Sequence, residues 1–161
     1  MSLERAIHLE IEINASLNDS WNAWTTKEGI QSFFSPDCFI ELKVGGAYEN
    51  YFNPESNAGE RGGEGNKILS IQNESMLSFT WNAPPHLPEV RNQRTHVCIR
   101  FNKLEEKTTK VTLHHDGWGN GGQWDEAFKY FQMAWEKVVF PRLKYRFDFG
   151  PVDWNNPPKF D

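Results

Sequence analysis

Two segments in the second half of the chain alternate strictly between apolar and polar residues. In residues 95–101 the apolar set is Val97, Ile99 and Phe101, and in residues 109–115 it includes Val111 and Leu113. A period of two predicts β-strands with one buried face. We therefore expect these five side chains to be buried, with Thr112 and His114 on the opposite face.

Residues 122–146 follow a different period. The spacing of three or four residues joins Trp124, Phe128, Phe131, Trp135, Val138 and Arg142, with Ala127 and Ala134 on the same face. This spacing predicts one long amphipathic helix that packs on the sheet. Pro141 should kink or end the helix. Because so many rings seldom pack without gaps, we expect a ligand pocket between helix and sheet.

The rest of the pattern predicts the remaining elements. A first strand carries Ile7, Leu9, Ile11 and Ile13 on one face. Two short helices follow, capped by Ser16 and Thr26, and the second helix ends at Phe33-Phe34. A hairpin is predicted over residues 38–43 and 47–52 with its turn at Gly45-Gly46, and two further strands over residues 66–71, with a bulge, and 76–81. Residues 53–63 and 82–93 are predicted loops. The order β-α-α-β-β-β-β-β-α favours an α+β fold with an antiparallel sheet.

Composition excludes several function classes. The 161 residues carry a formal net charge of −5 and have no basic run, which argues against nucleic-acid binding. No apolar segment approaches the roughly 20 residues that span a bilayer, so no membrane insertion is expected. The first ten residues lack a hydrophobic signal core, which favours the cytoplasm. Cys38 and Cys98 are expected to be buried free thiols, although a disulfide between them stays an alternative.

Several short motifs together resemble a known family. They are Trp21-Asn22-Ala23-Trp24-Thr25, Val44-Gly45-Gly46-Ala47-Tyr48, Leu77-Ser78-Phe79-Thr80-Trp81, residues 109–117 (TKVTLHHDG) and Trp135. The chain is similar, from about residue 7 to 145, to START-like, birch-pollen-allergen-like helix-grip domains. It most resembles the group named after the C-terminal domain of the activator of heat-shock-protein-90 ATPase.

The resemblance implies a curved antiparallel sheet wrapped around a long C-terminal helix, with two short helices after the first strand. It favours one domain over residues 1–146 and a tail over residues 147–161. Members of the superfamily bind lipids, sterols, polyketides or hormones between the sheet and the last helix, and some catalyse reactions there. We predict ligand contacts from Trp81, Phe101, Leu113, His115, Trp118, Trp124, Phe128, Phe131 and Trp135.

His115 is the polar residue that bears most on mechanism. Counting by twos from Val111 places it on the inward face. It could act there as acid or base, but hydrogen bonding to loop backbone is the favoured interpretation, because no partner base is identifiable. His114 and His115 point to opposite faces, so no metal site is predicted. Residues 116–122 are either a gate that carries Trp118 over the pocket or a simple connection.

These observations favour non-covalent binding of a small, largely apolar molecule, without cofactor or metal. Cyclase, aromatase or hydrolase chemistry on a polyketide-like substrate, with His115 as acid or base, is the first alternative. Regulation of a chaperone ATPase is the second. A homodimer is left open as a further partner.

Overall fold

The computed structural model describes residues 4–160. Within them the strands are β1 (Ile7–Ile13), β2 (Asp37–Ile40), β3 (Tyr48–Tyr51), β4 (Ile68–Gln72), β5 (Met76–Trp81), β6 (Thr95–Glu105) and β7 (Thr108–Asp116). The helices are α1 (Leu17–Thr25), α2 (Lys27–Gln31), α3 (Pro88–Arg91), α4 (Gln123–Ala134) and α5 (Phe140–Asp148), and a π turn (Trp135–Val139) joins the last two. The predicted α+β class is confirmed.

Five strands form one curved antiparallel sheet in the order β1-β7-β6-β5-β4. Leu113 of β7 pairs with Leu9 of β1 on one side and with Ile99 of β6 on the other. The five side chains predicted to face inward are buried, while His114 is exposed. The register predicted from period two is therefore confirmed. β4 also carries the expected irregularity, between Ile68 and Ser70.

The two short helices begin where the sequence predicts. Ser16 Oγ accepts the Asp19 N–H at 3.0 Å, and Thr26 Oγ1 accepts the Gly29 N–H at 2.9 Å. α2 ends at Gln31, earlier than expected, and Phe33 and Phe34 follow in a turn. Both rings are fully buried.

β2 and β3 pair as the predicted hairpin, but both are shorter than expected. The connection between them turns toward the large sheet instead of closing tightly. The Gly45 N–H donates to the Ile68 carbonyl at 2.8 Å, and the Ile68 N–H donates to the Gly46 carbonyl at 2.9 Å. Backbone hydrogen bonds to β4 therefore replace part of the expected hairpin ladder.

Pro141 neither ends nor breaks the last helix. Proline has no N–H to donate, and the turn before it widens so that the Phe140 N–H donates five residues back, to the Trp135 carbonyl. The extra residue moves the buried face to Phe131, Trp135, Val139 and Leu143. The prediction that Val138 lies on the buried face is wrong, because the widened turn leaves it 36% exposed.

Two smaller expectations need correction. Residues 82–93, predicted as a loop, contain the one-turn helix α3. Cys98 is only partly buried because it alternates with Val97 and faces outward, whereas Cys38 is buried as expected; neither forms a disulfide. Among residues 4–160, no helix has the length and apolar character needed to cross a bilayer.

The residues after α5 fold back on α2. The Val152 N–H donates to the Ser32 carbonyl at 2.9 Å, and Trp154 Nε1 donates to the Gln31 carbonyl at 2.6 Å. The Arg142 guanidinium lies 5.1 Å from the centroid of the Trp154 ring. These contacts join the end of the last helix to the end of α2.

Candidate functional site

A cavity of about 240 Å³ lies between the last helix and the loops that follow β3 and β5. Its apolar walls are formed by Phe34, Phe52, Trp81, Ala83, Pro84, Pro85, Tyr130, Phe131, Ala134, Trp135, Val138 and Val139. Polar groups reach it from Asn53, Glu60, Gly62, Asn82, Arg91 and Arg142. The walls are therefore mostly apolar, with two cationic side chains among the polar groups.

Three rings form the deep wall. Phe34 stacks on Trp81 with centroids 5.7 Å apart, and Trp135 lies 5.6 Å from Trp81 and 5.7 Å from Phe34. The Trp81 indole N–H is buried and has no acceptor within the described residues. A buried donor without an acceptor is destabilising by about 1–3 kcal/mol. The wall thus holds an unused hydrogen-bond donor.

Arg91 fixes the loops around the cavity. Its guanidinium donates to the carbonyls of Gly59 at 2.7 Å and Gly62 at 3.0 Å, and also to that of Ala83. Glu64 lies 3.8 Å away as a counter-ion. Because its donors are largely occupied, Arg91 has a structural role in joining the loop after β3 to the loop after β5.

Arg142, the other cation at the cavity, has different surroundings. Its Nε is buried without an acceptor, and its side chain makes no hydrogen bond or ion pair within residues 4–160. Burial lowers the pKa of the guanidinium below its ordinary value. The guanidinium stacks on the Trp154 ring, and its two terminal NH2 groups are not hydrogen-bonded within residues 4–160.

His115 points inward, as predicted, and is fully buried. Its Nδ1 accepts the Trp135 Nε1–H at 3.0 Å, so Nε2 carries the proton and donates to Thr95 Oγ1 at 2.7 Å. Thr95 in turn donates to the Trp81 carbonyl at 3.3 Å. The expectation of loop-backbone partners is wrong, since the ring bonds to two side chains that β6 and the π turn bring together.

These contacts keep His115 neutral. Burial lowers its pKa well below the ordinary value, and the nearby His96 and His114 lower it further. Both ring nitrogens are occupied, and His115 does not line the cavity. The ring therefore holds Trp135 in place and has no free nitrogen for acid–base chemistry.

The glycine-rich turn places Trp118 in the core and not over the cavity. The ring is 8% exposed, lies 5.3 Å from Phe128, and donates its Nε1–H to the His115 carbonyl at 3.0 Å. Gly119 allows the chain to pass close by, because a Cβ there would lie 2.3 Å from Trp124 Nε1. These contacts favour a fixed connection over a gate.

Of the nine predicted contact residues, Trp81, Phe131 and Trp135 line the cavity. The other six pack elsewhere: Phe101, Leu113, His115 and Trp118 are buried, and Trp124 and Phe128 are partly buried. The prediction did not include Phe52, Arg91 or Arg142, which do line it. Arg142 lies on the periodic face of the predicted helix but was not assigned a ligand contact, and Arg91 lies in a predicted loop, where no periodicity identifies its contacts.

The comparisons with known proteins agree with this architecture. Residues 14–148 match the model of the family described as Activator of Hsp90 ATPase homolog 1-like protein. The chain belongs to this family. No curated protein matches the sequence of this family member.

Solved structures show the same fold at low sequence identity. A protein from Mesorhizobium loti is 19% identical with a TM-score of 0.70, covering 89% of this chain and 97% of its own. The Aha1 dimer from Colwellia psychrerythraea is 20% identical with a TM-score of 0.69, covering 91% and 98%. A protein of the dynemicin biosynthetic locus is 15% identical with a TM-score of 0.65, covering 97% of this chain and 50% of its own.

Proposed function

We propose that the protein binds a small, largely apolar molecule in the cavity between the last helix and the loops that follow β3 and β5. The observation that carries the proposal is the ring-lined wall of Phe34, Trp81 and Trp135 around about 240 Å³ of space. Well-packed cores leave few voids larger than a water molecule. A space of this size among stacked rings favours a ligand site over a packing defect.

The size and chemistry of the cavity limit the ligand. Its volume is below the roughly 300–1,000 Å³ of drug-sized pockets, which favours a compound of one or two rings. Flat rings would gain from offset or edge contacts with the indoles, at about 0.5–1.5 kcal/mol per pair.

Filling the cavity tests this proposal. Ala134→Phe places a ring in the space that Ala134 borders, and Met133→Phe puts the same ring on the exposed face of the same helix. Naphthalene-2-carboxamide, the neutral probe, should raise the melting temperature of the wild type and of Met133→Phe by mass action, but not that of Ala134→Phe. Differential scanning calorimetry measures the shifts.

Circular dichroism establishes that each variant is folded, and Val138→Phe serves as a second cavity-filling change. Equal shifts in all variants, or no shift in the wild type at millimolar probe, would contradict binding in this cavity. Native mass spectrometry of freshly purified protein adds an independent readout, since a bound molecule appears as a mass increment.

The proposal uses no catalytic group. His115, the residue that the enzyme alternative needs, lies outside the cavity with both nitrogens bonded. Regulation of a chaperone ATPase, the activity named in the family description, is supported by family membership alone. The cytoplasm is the proposed location.

We also propose a second copy of the chain as a partner. The hairpin region exposes large apolar side chains, with Phe39 52% and Val44 69% exposed, and one structural neighbour is a dimer. Light scattering at rising protein concentration should give a molar mass twice that of one chain. The Val44→Glu variant should give the molar mass of one chain. Met133→Glu, on an exposed apolar residue of the last helix, is the control. A single-chain mass throughout would overturn the proposal.

A further inference from the structure

We propose that the ligand of this cavity is a small aromatic acid whose carboxylate pairs with Arg142. This inference rests on the proposed function and names the chemical class of the ligand. It depends on one unpartnered cation, on how that cation is held, and on the apolar character of the remaining wall.

Of the two cations that border the cavity, Arg142 has no hydrogen-bond or ion-pair partner within residues 4–160. A guanidinium has five N–H donors, and Arg142 uses none of them within residues 4–160. Its Nε is buried, so water does not satisfy that donor. Nearby carboxylates do not take this role: Glu64 pairs with Arg91, and Asp148 pairs with Lys144 at 3.0 Å.

Glu60 also borders the cavity and is therefore a second carboxylate to consider as a partner of Arg142. It lies on an exposed loop, and its charge acts on Arg91, whose pKa it raises against the larger lowering by burial. Burial alone accounts for the lowered pKa of Arg142. A carboxylate beside Arg142 would supply the stabilisation that the protein itself does not.

Trp154 holds the Arg142 guanidinium in a fixed orientation. The cation lies over the indole face at 5.1 Å, and the indole is anchored by its hydrogen bond to the Gln31 carbonyl. One guanidinium face is covered and Nε is buried, while the two terminal NH2 groups make no hydrogen bond within residues 4–160. A planar fork held in this way suits the two oxygens of a carboxylate.

The rest of the cavity requires a molecule with one charged end only. The deep wall is formed by Phe34, Trp81 and Trp135, and Val139 continues it along the π turn toward Arg142. Burying a second charge against these side chains would be unfavourable. The rings of a one- or two-ring carboxylic acid would pack against this wall, and its carboxylate would pair with the Arg142 guanidinium.

The test compares two matched probes by isothermal titration calorimetry. Naphthalene-2-carboxylate and naphthalene-2-carboxamide share shape and size but differ in charge. The wild type should bind the carboxylate at least about 10-fold more tightly, as expected for a charge-assisted hydrogen-bonded pair. In Arg142→Gln this preference should fall to about unity while amide affinity is retained, and Arg142→Lys should keep part of it.

Arg146→Gln is the matched control, because Arg146 lies one turn further along α5 and does not line this cavity. It should keep the full preference for the carboxylate. Equal binding of both probes by the wild type, or an unchanged preference in Arg142→Gln, would overturn the acid proposal while the binding proposal stands. If neither probe binds, both proposals fail.

Discussion

At the scale of single residues, the hydrogen-bonded chain through His115 connects Trp135 and Trp81, two of the three residues whose rings form the deep wall of the cavity. Trp135 donates to one nitrogen of the imidazole, and Thr95 connects the other nitrogen to the Trp81 backbone. A protonated ring would lose the acceptor that Trp135 requires. The arrangement is therefore stable only with neutral His115.

This requirement predicts a pH dependence of stability. The pKa of His115 is lowered on folding, so below its unfolded value of about 6.5 the unfolded chain binds more protons than the native protein. The free energy of unfolding should fall as the pH decreases below about 6.5, by up to about 1.4 kcal/mol per pH unit from this residue. Urea denaturation from pH 7.5 to 5.5 measures it.

His115→Gln should flatten this slope, although it also destabilises the protein at pH 7.5 by breaking the network. His86→Gln removes an exposed histidine outside the network, and the pH dependence of its stability should have the same slope as that of the wild type. A slope that does not change in His115→Gln would mean that His115 is not the titrating group.

The inward direction of His115 could be predicted because period two fixes it relative to Val111 and Leu113. Its partners could not. Thr95 lies 20 residues earlier and Trp135 lies 20 residues later, and only the pairing of β6 with β7 and the docking of the last helix bring them together. Local pattern contains no information about such distant contacts.

At the scale of elements, the connection between β7 and α4 is packed into the core at Trp118 and exposed at Gly121. Trp118 packs against His115, Phe128 and Phe131. Gly121, by contrast, has a positive φ of 79° and open space around it. The two residues should therefore respond very differently to substitution by alanine.

Trp118→Ala should lower the free energy of unfolding by about 3–5 kcal/mol, as for other large aromatic side chains removed from cores. Binding of naphthalene-2-carboxamide should not change, because Trp118 does not line the cavity. Gly121→Ala should be milder, at about 1–2 kcal/mol, since only backbone strain is added. Denaturation and calorimetry measure both quantities.

A gate would give the opposite result. Trp118→Ala would then leave stability nearly unchanged and would alter the rate at which the probe binds or leaves, which stopped-flow fluorescence detects. The result thus separates a structural anchor from a moving lid.

The last helix could be predicted from the sequence, but its π turn could not. Its existence and aromatic face follow from spacing, and Pro141 marks the irregular place. The response to Pro141 could not be predicted, because a kink, a helix end and a widened turn can each accommodate a residue that has no backbone N–H to donate. The π turn was selected by packing, because it places Val139 and Leu143 in the core.

At the scale of the whole molecule, the cavity is made by segments far apart in the chain. Phe34 follows α2, Phe52 follows β3, Trp81 ends β5, and Arg142 lies in α5. The α+β class was predictable from the order of elements, and the rings of the last helix indicated a pocket beside it, although the loops and not the sheet form most of the opposite wall. The polar wall was not, because it depends on how loops of irregular sequence come together.

The strand order has a further consequence, for synthesis of the chain. β1 pairs within the sheet with β7, whose residues lie about 100 positions later. At roughly 5–20 residues per second, a ribosome needs about 5–20 s to produce that partner. During this interval β1 lacks the strand with which it pairs in the native sheet, and its apolar side chains are those of Ile7, Leu9, Ile11 and Ile13. The nascent protein should therefore depend on early shielding of this segment, and slower translation between β1 and β7 should increase aggregation.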